Sequence, residues 1–150
     1  MRSDDGANWP AVYKAADAKP ALNLMQYCHG APGMVTALAT LPQGNESFDR
    51  LLLKGGELTW RAWSLKKGAN LCHANGGNGY AFLKLFIRTG DELWLDLARA
   101  FAMHSVEQYR LAQQRYGQLR YPLWTGDLGL AIYLWDCLQA QAKFPTIDVF

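Results

Sequence analysis

Two stretches of this chain follow one plan. Tyr27-Cys28-His29-Gly30-Ala31-Pro32-Gly33 and Leu71-Cys72-His73-Ala74-Asn75-Gly76-Gly77-Asn78-Gly79-Tyr80 each set a Cys-His pair ahead of glycines and then an apolar run. Cys72 follows Cys28 by 44 residues, and a third related stretch, Trp124-Thr125-Gly126-Asp127-Leu128-Gly129, opens another apolar run. Units repeating at about 40 to 50 residues bury their faces only by stacking on neighbours, which confines such a chain to an open solenoid or a closed toroid.

Each unit reads as a loop, an inner helix and a longer outer helix. In the first, Met34–Leu41 is helix-sized and breaks at Pro42. Ser47 to Ser64 then sets Phe48, Leu51, Leu52, Leu58 and Trp63 among charged residues, with Ser47 as N-cap and Gly55-Gly56 as a weak point or a bend. The second unit has the almost wholly apolar run Gly79 to Ile87, then an amphipathic helix from Asp91 to about Gln114 with acidic residues at its start. Leu128 to Ala140 forms the third inner helix, which Lys143-Phe144-Pro145 cannot extend. Strand signals are poor throughout, so the fold class is all-α.

Half of the 150 residues are hydrophobic, enough for the core of one domain. The 15 basic and 13 acidic residues are scattered and leave a net charge of +2, so no basic stripe exists for nucleic acid. Asp4 and Asp5 stand where a secretory signal needs positive charge, and no 18-residue apolar run occurs, which points to a soluble, cytoplasmic protein with no transmembrane segment. Three cysteines, two of them beside histidine, suit metal binding by reduced thiolates better than a disulfide framework. Cys137 is left over and, like His104, reads as a packing residue. Thiolate and imidazole are ligands that zinc prefers, and the two Cys-His pairs supply four of them. In a toroid the glycine loops share one mouth, with Cys28, Cys72 and His73 at the N-terminal ends of adjacent inner helices, where the helix dipole favours thiolate. Asp127, between two glycines, reads as an N-cap.

These motifs resemble those of the lanthionine synthetase C-like family, whose bacterial members close thioether rings in lanthipeptides and whose eukaryotic members bind glutathione. The first looks like the family's W-C-H/Y-G-x-P-G loop with Tyr27 for tryptophan. The second resembles C-H-G-x-x-G-N-x-Y-x-F-L with Ala74 for glycine, and Pro122 to Gly129 resembles S-L-F-E-G-x-A-G with Thr125 for glutamate. The ending Lys143-Phe144-Pro145 is also similar. The resemblance runs from about Asn23 and implies a partial α/α toroid, about three of an expected seven helical hairpins. On that view residues 1–22 are a lead-in, residues 23–150 are the zinc-bearing C-terminal part, and the chain is a fragment. The histidine and aspartate that the family's upstream units supply for acid-base work have no counterpart here.

Residue by residue, the resemblance implies zinc ligation by Cys28, Cys72 and His73, with a fourth position open for a thiol. His29, at a position where the family tolerates tyrosine, becomes a pocket residue and the candidate proton donor. Lys67, five residues before Cys72, and Arg115 match a lysine and an arginine of the glutathione-binding members, with Arg120 as a competitor for the second role. The function implied is zinc-dependent addition of a thiol, from a peptide cysteine or from glutathione, to a dehydroamino acid. The alternative is a module that binds zinc and glutathione or a peptide without turnover. A toroidal glycoside hydrolase would need a pair of carboxylates that the sequence does not offer.

Overall fold

The computed structural model describes residues 6–10, 24–62, 66 and 68–149. Among them are five helices and no strand: α1 (Ala31–Leu38), α2 (Glu46–Arg61), α3 (Asn75–Thr89), α4 (Glu92–Tyr116) and α5 (Asp127–Gln139). Helix α3 packs on α1 and α5, α2 packs on α1 and α3, and α4 packs on α3 and α5. The result is an arc of an α/α toroid, with α1, α3 and α5 inside and α2 and α4 outside. No described helix is long and apolar enough to cross a membrane.

The inner helices depart from their expected bounds at the first unit. Helix α1 begins at Ala31, three residues before the expected Met34, because Pro32 sits in the first turn, where its fixed φ suits the helix and its missing N–H is not needed. It also ends at Leu38. Arg88 Nη1 donates to the carbonyls of Ala39 at 2.7 Å and Leu41 at 2.8 Å, so these groups are satisfied from α3 without another turn of α1. The same guanidinium pairs with Asp49 on α2 and ties three helices together at one end.

Helix α2 is capped by Asn45 and not by Ser47: the Asn45 side chain accepts from Phe48 N at 3.1 Å. Gly55 and Gly56 neither break nor end it. A Cβ on Gly55 would lie 2.8 Å from Val35 Cγ2, and one on Gly56 would lie 2.3 Å from Leu85 Cδ1 and 2.9 Å from the Trp94 ring. The pair lets α2 approach its neighbours closely, and that packing offsets the roughly 1 kcal/mol per residue that glycine costs a helix.

Helix α3 is the centre of the fold, with every residue from Asn75 to Leu85 buried. Its Phe82 joins Val35, Leu52, Phe101 and Tyr133 in one core that includes Phe144 from the C-terminal segment. Helix α4 is capped by Asp91, which accepts from Leu93 N at 3.0 Å. Gly126 caps α5 without a side chain, so Asp127 is its first residue and not its cap. The Asp127 carboxylate turns back to accept from Arg120 N at 2.7 Å.

Candidate metal centre

The loops ahead of α1, α3 and α5 run in one register. Cys28, Cys72 and Trp124 hold equivalent places, and Gly30, Ala74 and Gly126 are the equivalent N-caps, none using a side chain. Three residues into each helix stands a glycine without room for a side chain. A Cβ would lie 1.9 Å from Tyr27 O at Gly33, 1.8 Å from Leu71 O at Gly77 and 2.3 Å from Leu123 O at Gly129. Each loop therefore folds its own carbonyl onto the start of its helix. Backbone hydrogen bonds then join the three in series: Cys28 N donates to Cys72 O at 3.2 Å, and Cys72 N donates to Trp124 O at 2.9 Å.

This stitching brings Cys28, Cys72 and His73 together. The two sulfurs are 2.6 Å apart, His73 Nε2 is 3.7 Å from Cys72 Sγ, and one ligand atom from each residue lies within 4.8 Å of the others. The cysteines are half-buried and His73 is exposed, so the group opens to one side. Two soft sulfurs and an imidazole on one opening form a donor set that suits zinc, and the group could hold a metal. Burial foremost, and then the neighbouring Cys72 sulfur, push the Cys28 thiol up to about 12.

His29 is half-buried and outside the three-residue group, with its ring centre 6.4 Å from that of His73. Its backbone closes the turn that presents Cys28, through paired bonds with Gln26 of 3.0 and 3.1 Å. Lys67 lies outside the described residues. Arg115 is exposed in the last turn of α4, with its guanidinium over the Tyr116 ring at 5.4 Å from the centroid. Arg120 lines a groove of about 540 Å³ between α4 and α5, together with Tyr109, Arg110 and Leu130. Cys137 is a buried free thiol on α5, pushed up to about 11 chiefly by burial. His104 packs in α4 with Nε2 buried and no hydrogen-bond partner among the described residues.

Four asparagines to which the sequence assigned no role hold the loops, Asn78 among them although it stands in the second motif. Asn70 Oδ1 accepts from Cys72 N at 3.1 Å and His73 N at 3.0 Å, a turn that presents both side chains. Asn78 Nδ2 donates to Met25 O at 2.8 Å, and Asn75 Nδ2 donates to Gly68 O at 3.0 Å. Asn8 brackets the first loop, accepting from Ala31 N at 2.7 Å and donating to Leu24 O at 3.3 Å. Only Asn70 carried a local signal, an asparagine two residues ahead of a candidate ligand. Asn75 reaches back seven residues, and Asn8 and Asn78 act across 23 and 53.

The sequence profile of the lanthionine synthetase C-like protein family matches residues 1–149. The chain is 36% identical over 152 residues to a Danio rerio protein named glutathione S-transferase LANCL1, covering 99% of this chain and 36% of that one. It is 30% identical over 145 residues to LanC-like protein GCL1 of Arabidopsis thaliana, covering 91% of this chain and 33% of that protein. The chain thus spans about a third of the length of these curated relatives. With the family profile matched along nearly its whole length and the two Cys-His loops meeting at one mouth of a helical arc, the chain belongs to the lanthionine synthetase C-like family.

Proposed function

We propose that the chain holds zinc on Cys28, Cys72 and His73 and serves the addition of a thiol, from a peptide cysteine or from glutathione, to a dehydroamino acid. The observation that carries the reading is the convergence of two sulfurs and one imidazole nitrogen within 4.8 Å on a mouth open to one side. Three protein ligands with an open side suit a catalytic zinc, whereas structural zinc is enclosed by four. Bound there, zinc would supply the Lewis acidity that lowers the pKa of a thiol brought to it. Membership of the family supports thioether chemistry, and the name of the Danio rerio relative supports glutathione as the thiol.

The remaining work falls to the chain's own side chains. As the thiol sulfur bonds to the β-carbon, the double-bond pair moves to the α-carbon, which must take up a proton. His29, beside the ligand group and outside it, is assigned that transfer. Lys67 and Arg115 are assigned to the carboxylates of glutathione. The test is elemental analysis of the purified chain, with mass spectrometry of a dehydroalanine peptide incubated with glutathione. Cys28→Ala and Cys72→Ala should each abolish stoichiometric zinc and the adduct. Full zinc retention in both variants overturns the ligand assignment. Zinc without adduct in the unaltered chain overturns the catalytic half and leaves a binding module.

A further inference from the structure

The C-terminal segment, residues 141–149, is built against the loop that carries Cys28. Phe144 is fully buried. Its ring stacks on Tyr27, the residue before Cys28, with centroids 4.6 Å apart and planes at 23°, and meets Tyr80 of α3 edge-on at 4.7 Å. Tyr27 is stacked on its other contact by Trp124 at 5.9 Å, so the ring ahead of Cys28 is fixed by α5's loop and by the C-terminal segment together. Nothing in the register of the three loops requires this last contact, since the cysteine ladder is complete without residue 144.

The segment is also clamped in place. Asp148 accepts from Phe144 N at 2.6 Å with one oxygen and pairs with Lys84 Nζ at 2.5 Å with the other, and the Lys84 side chain is only 3% exposed. Asp136, buried on α5, accepts from Lys143 N at 2.7 Å and from Tyr80 OH at 3.0 Å. Between these anchors Thr146 holds φ at +65°, a left-handed conformation that a β-branched residue adopts only where its surroundings impose it. Two anchors and a strained turn on a nine-residue segment exceed what covering one core ring needs, and the ring they deliver presses on the neighbour of a ligand.

We propose that Phe144, held by the Asp148–Lys84 clamp, is a positioning residue for the metal centre: through Tyr27 it sets where the Cys28 sulfur stands. This rests on the reading that Cys28, Cys72 and His73 hold zinc. Residues that orient ligands typically change metal affinity by about 10- to 100-fold when removed.

The experiment measures zinc affinity by chelator competition and the cobalt(II) absorption spectrum, which reports thiolate coordination, on the full chain. Phe144→Ala should weaken zinc at least about tenfold and alter the cobalt bands. Asp148→Asn, which loosens the clamp and leaves the ring, should shift both readouts in the same direction by severalfold. Leu52→Ala, a core truncation on α2, should lower thermal stability and leave both readouts unchanged, so that a general loss of stability is separated from positioning. Should Phe144→Ala fail to fold, Phe144→Leu keeps most of the volume, drops the ring stack and is read in the same way. Unchanged zinc affinity and cobalt spectrum in a folded Phe144 variant overturn the proposal alone. Absence of stoichiometric zinc in the unaltered chain overturns the ligand reading and the proposal with it.

Discussion

The loop ahead of α3 and the loop ahead of α5 share a backbone and differ in what they carry. Both reach a helix through an N-cap that makes no side-chain hydrogen bond, and both seat their own carbonyl on a glycine three residues inside it. At equivalent places one holds Cys72-His73 and the other Trp124-Thr125. The third loop contributes an acceptor carbonyl for Cys72 N and an indole ring for Tyr27. One repeat thus presents candidate ligands and its copy braces them. The scaffold and the chemistry are separable, and substitutions should separate them.

The largest effect tests the shared scaffold. In Gly77→Ala the new methyl would stand 1.8 Å from Leu71 O and 2.8 Å from Tyr27 Cβ, and in Gly129→Ala 2.3 Å from Leu123 O and 2.6 Å from Leu71 Cγ. Carbonyls fixed by the loop register cannot yield as a flexible side chain would. Overpacking typically costs about 1 to 3 kcal/mol, and a clash with backbone belongs at the upper end or beyond. Both variants should lose about 3 kcal/mol or more in urea denaturation. A mild Gly129→Ala beside a severe Gly77→Ala would break the comparison by showing that the third loop is not held to the same constraint.

A smaller effect tests what the cysteine loop has and the third loop lacks. Asn70 accepts from both Cys72 N and His73 N, and the equivalent place in the third loop is Pro122, which has a fixed φ and no such side chain. Asn70→Ala leaves Cys72 N its second acceptor, Trp124 O, but takes the side-chain acceptor from His73 N. Stability should fall by about 1 kcal/mol and zinc affinity by about tenfold. Asn70→Asp keeps an acceptor and should restore most of the affinity, measured by chelator competition. Equal zinc affinity in the alanine and aspartate variants would remove Asn70 from the account of how the ligands are presented.

Much of this architecture was legible because the repeat writes it three times. Glycines, apolar runs and Cys-His pairs recur at fixed offsets, and local periodicity placed all five helices to within a few residues. The candidate ligands were legible for a different reason, since thiol and imidazole chemistry belongs to the side chain itself. The misses have physical causes too. Asn45 and Ser47 are comparable caps, and only the reach to Phe48 N decides between them. The end of α1 depends on Arg88, far along the chain on α3. Asn8 and Asn78 bond across 23 and 53 residues, and Phe144 reaches Tyr27 from the opposite end of the described chain. Such contacts exist only once the helices have stacked, so no window of sequence contains both partners.

The smallest effect asks which loop's approach carries the contact to substrate. Lys67 precedes Cys72 by five residues, ahead of the loop that bears the candidate ligands, whereas Arg115 precedes Trp124 by nine, ahead of the loop that braces. Arg115 is exposed and already lies over the Tyr116 ring. An exposed contact between a cation and a carboxylate contributes about 0 to 1 kcal/mol, at most roughly a fivefold change in binding, and one partly shielded at a pocket mouth contributes more. If the division between the loops extends to substrate, Lys67→Ala should weaken glutathione severalfold in calorimetric titration, Arg115→Ala should change it by less than about twofold, and both should keep stoichiometric zinc. A larger loss in Arg115→Ala than in Lys67→Ala would overturn the division, because the braced loop would then be the one that meets the peptide. Equal and negligible losses would assign recognition of the thiol to the metal centre alone and return both cations to the solvated surface.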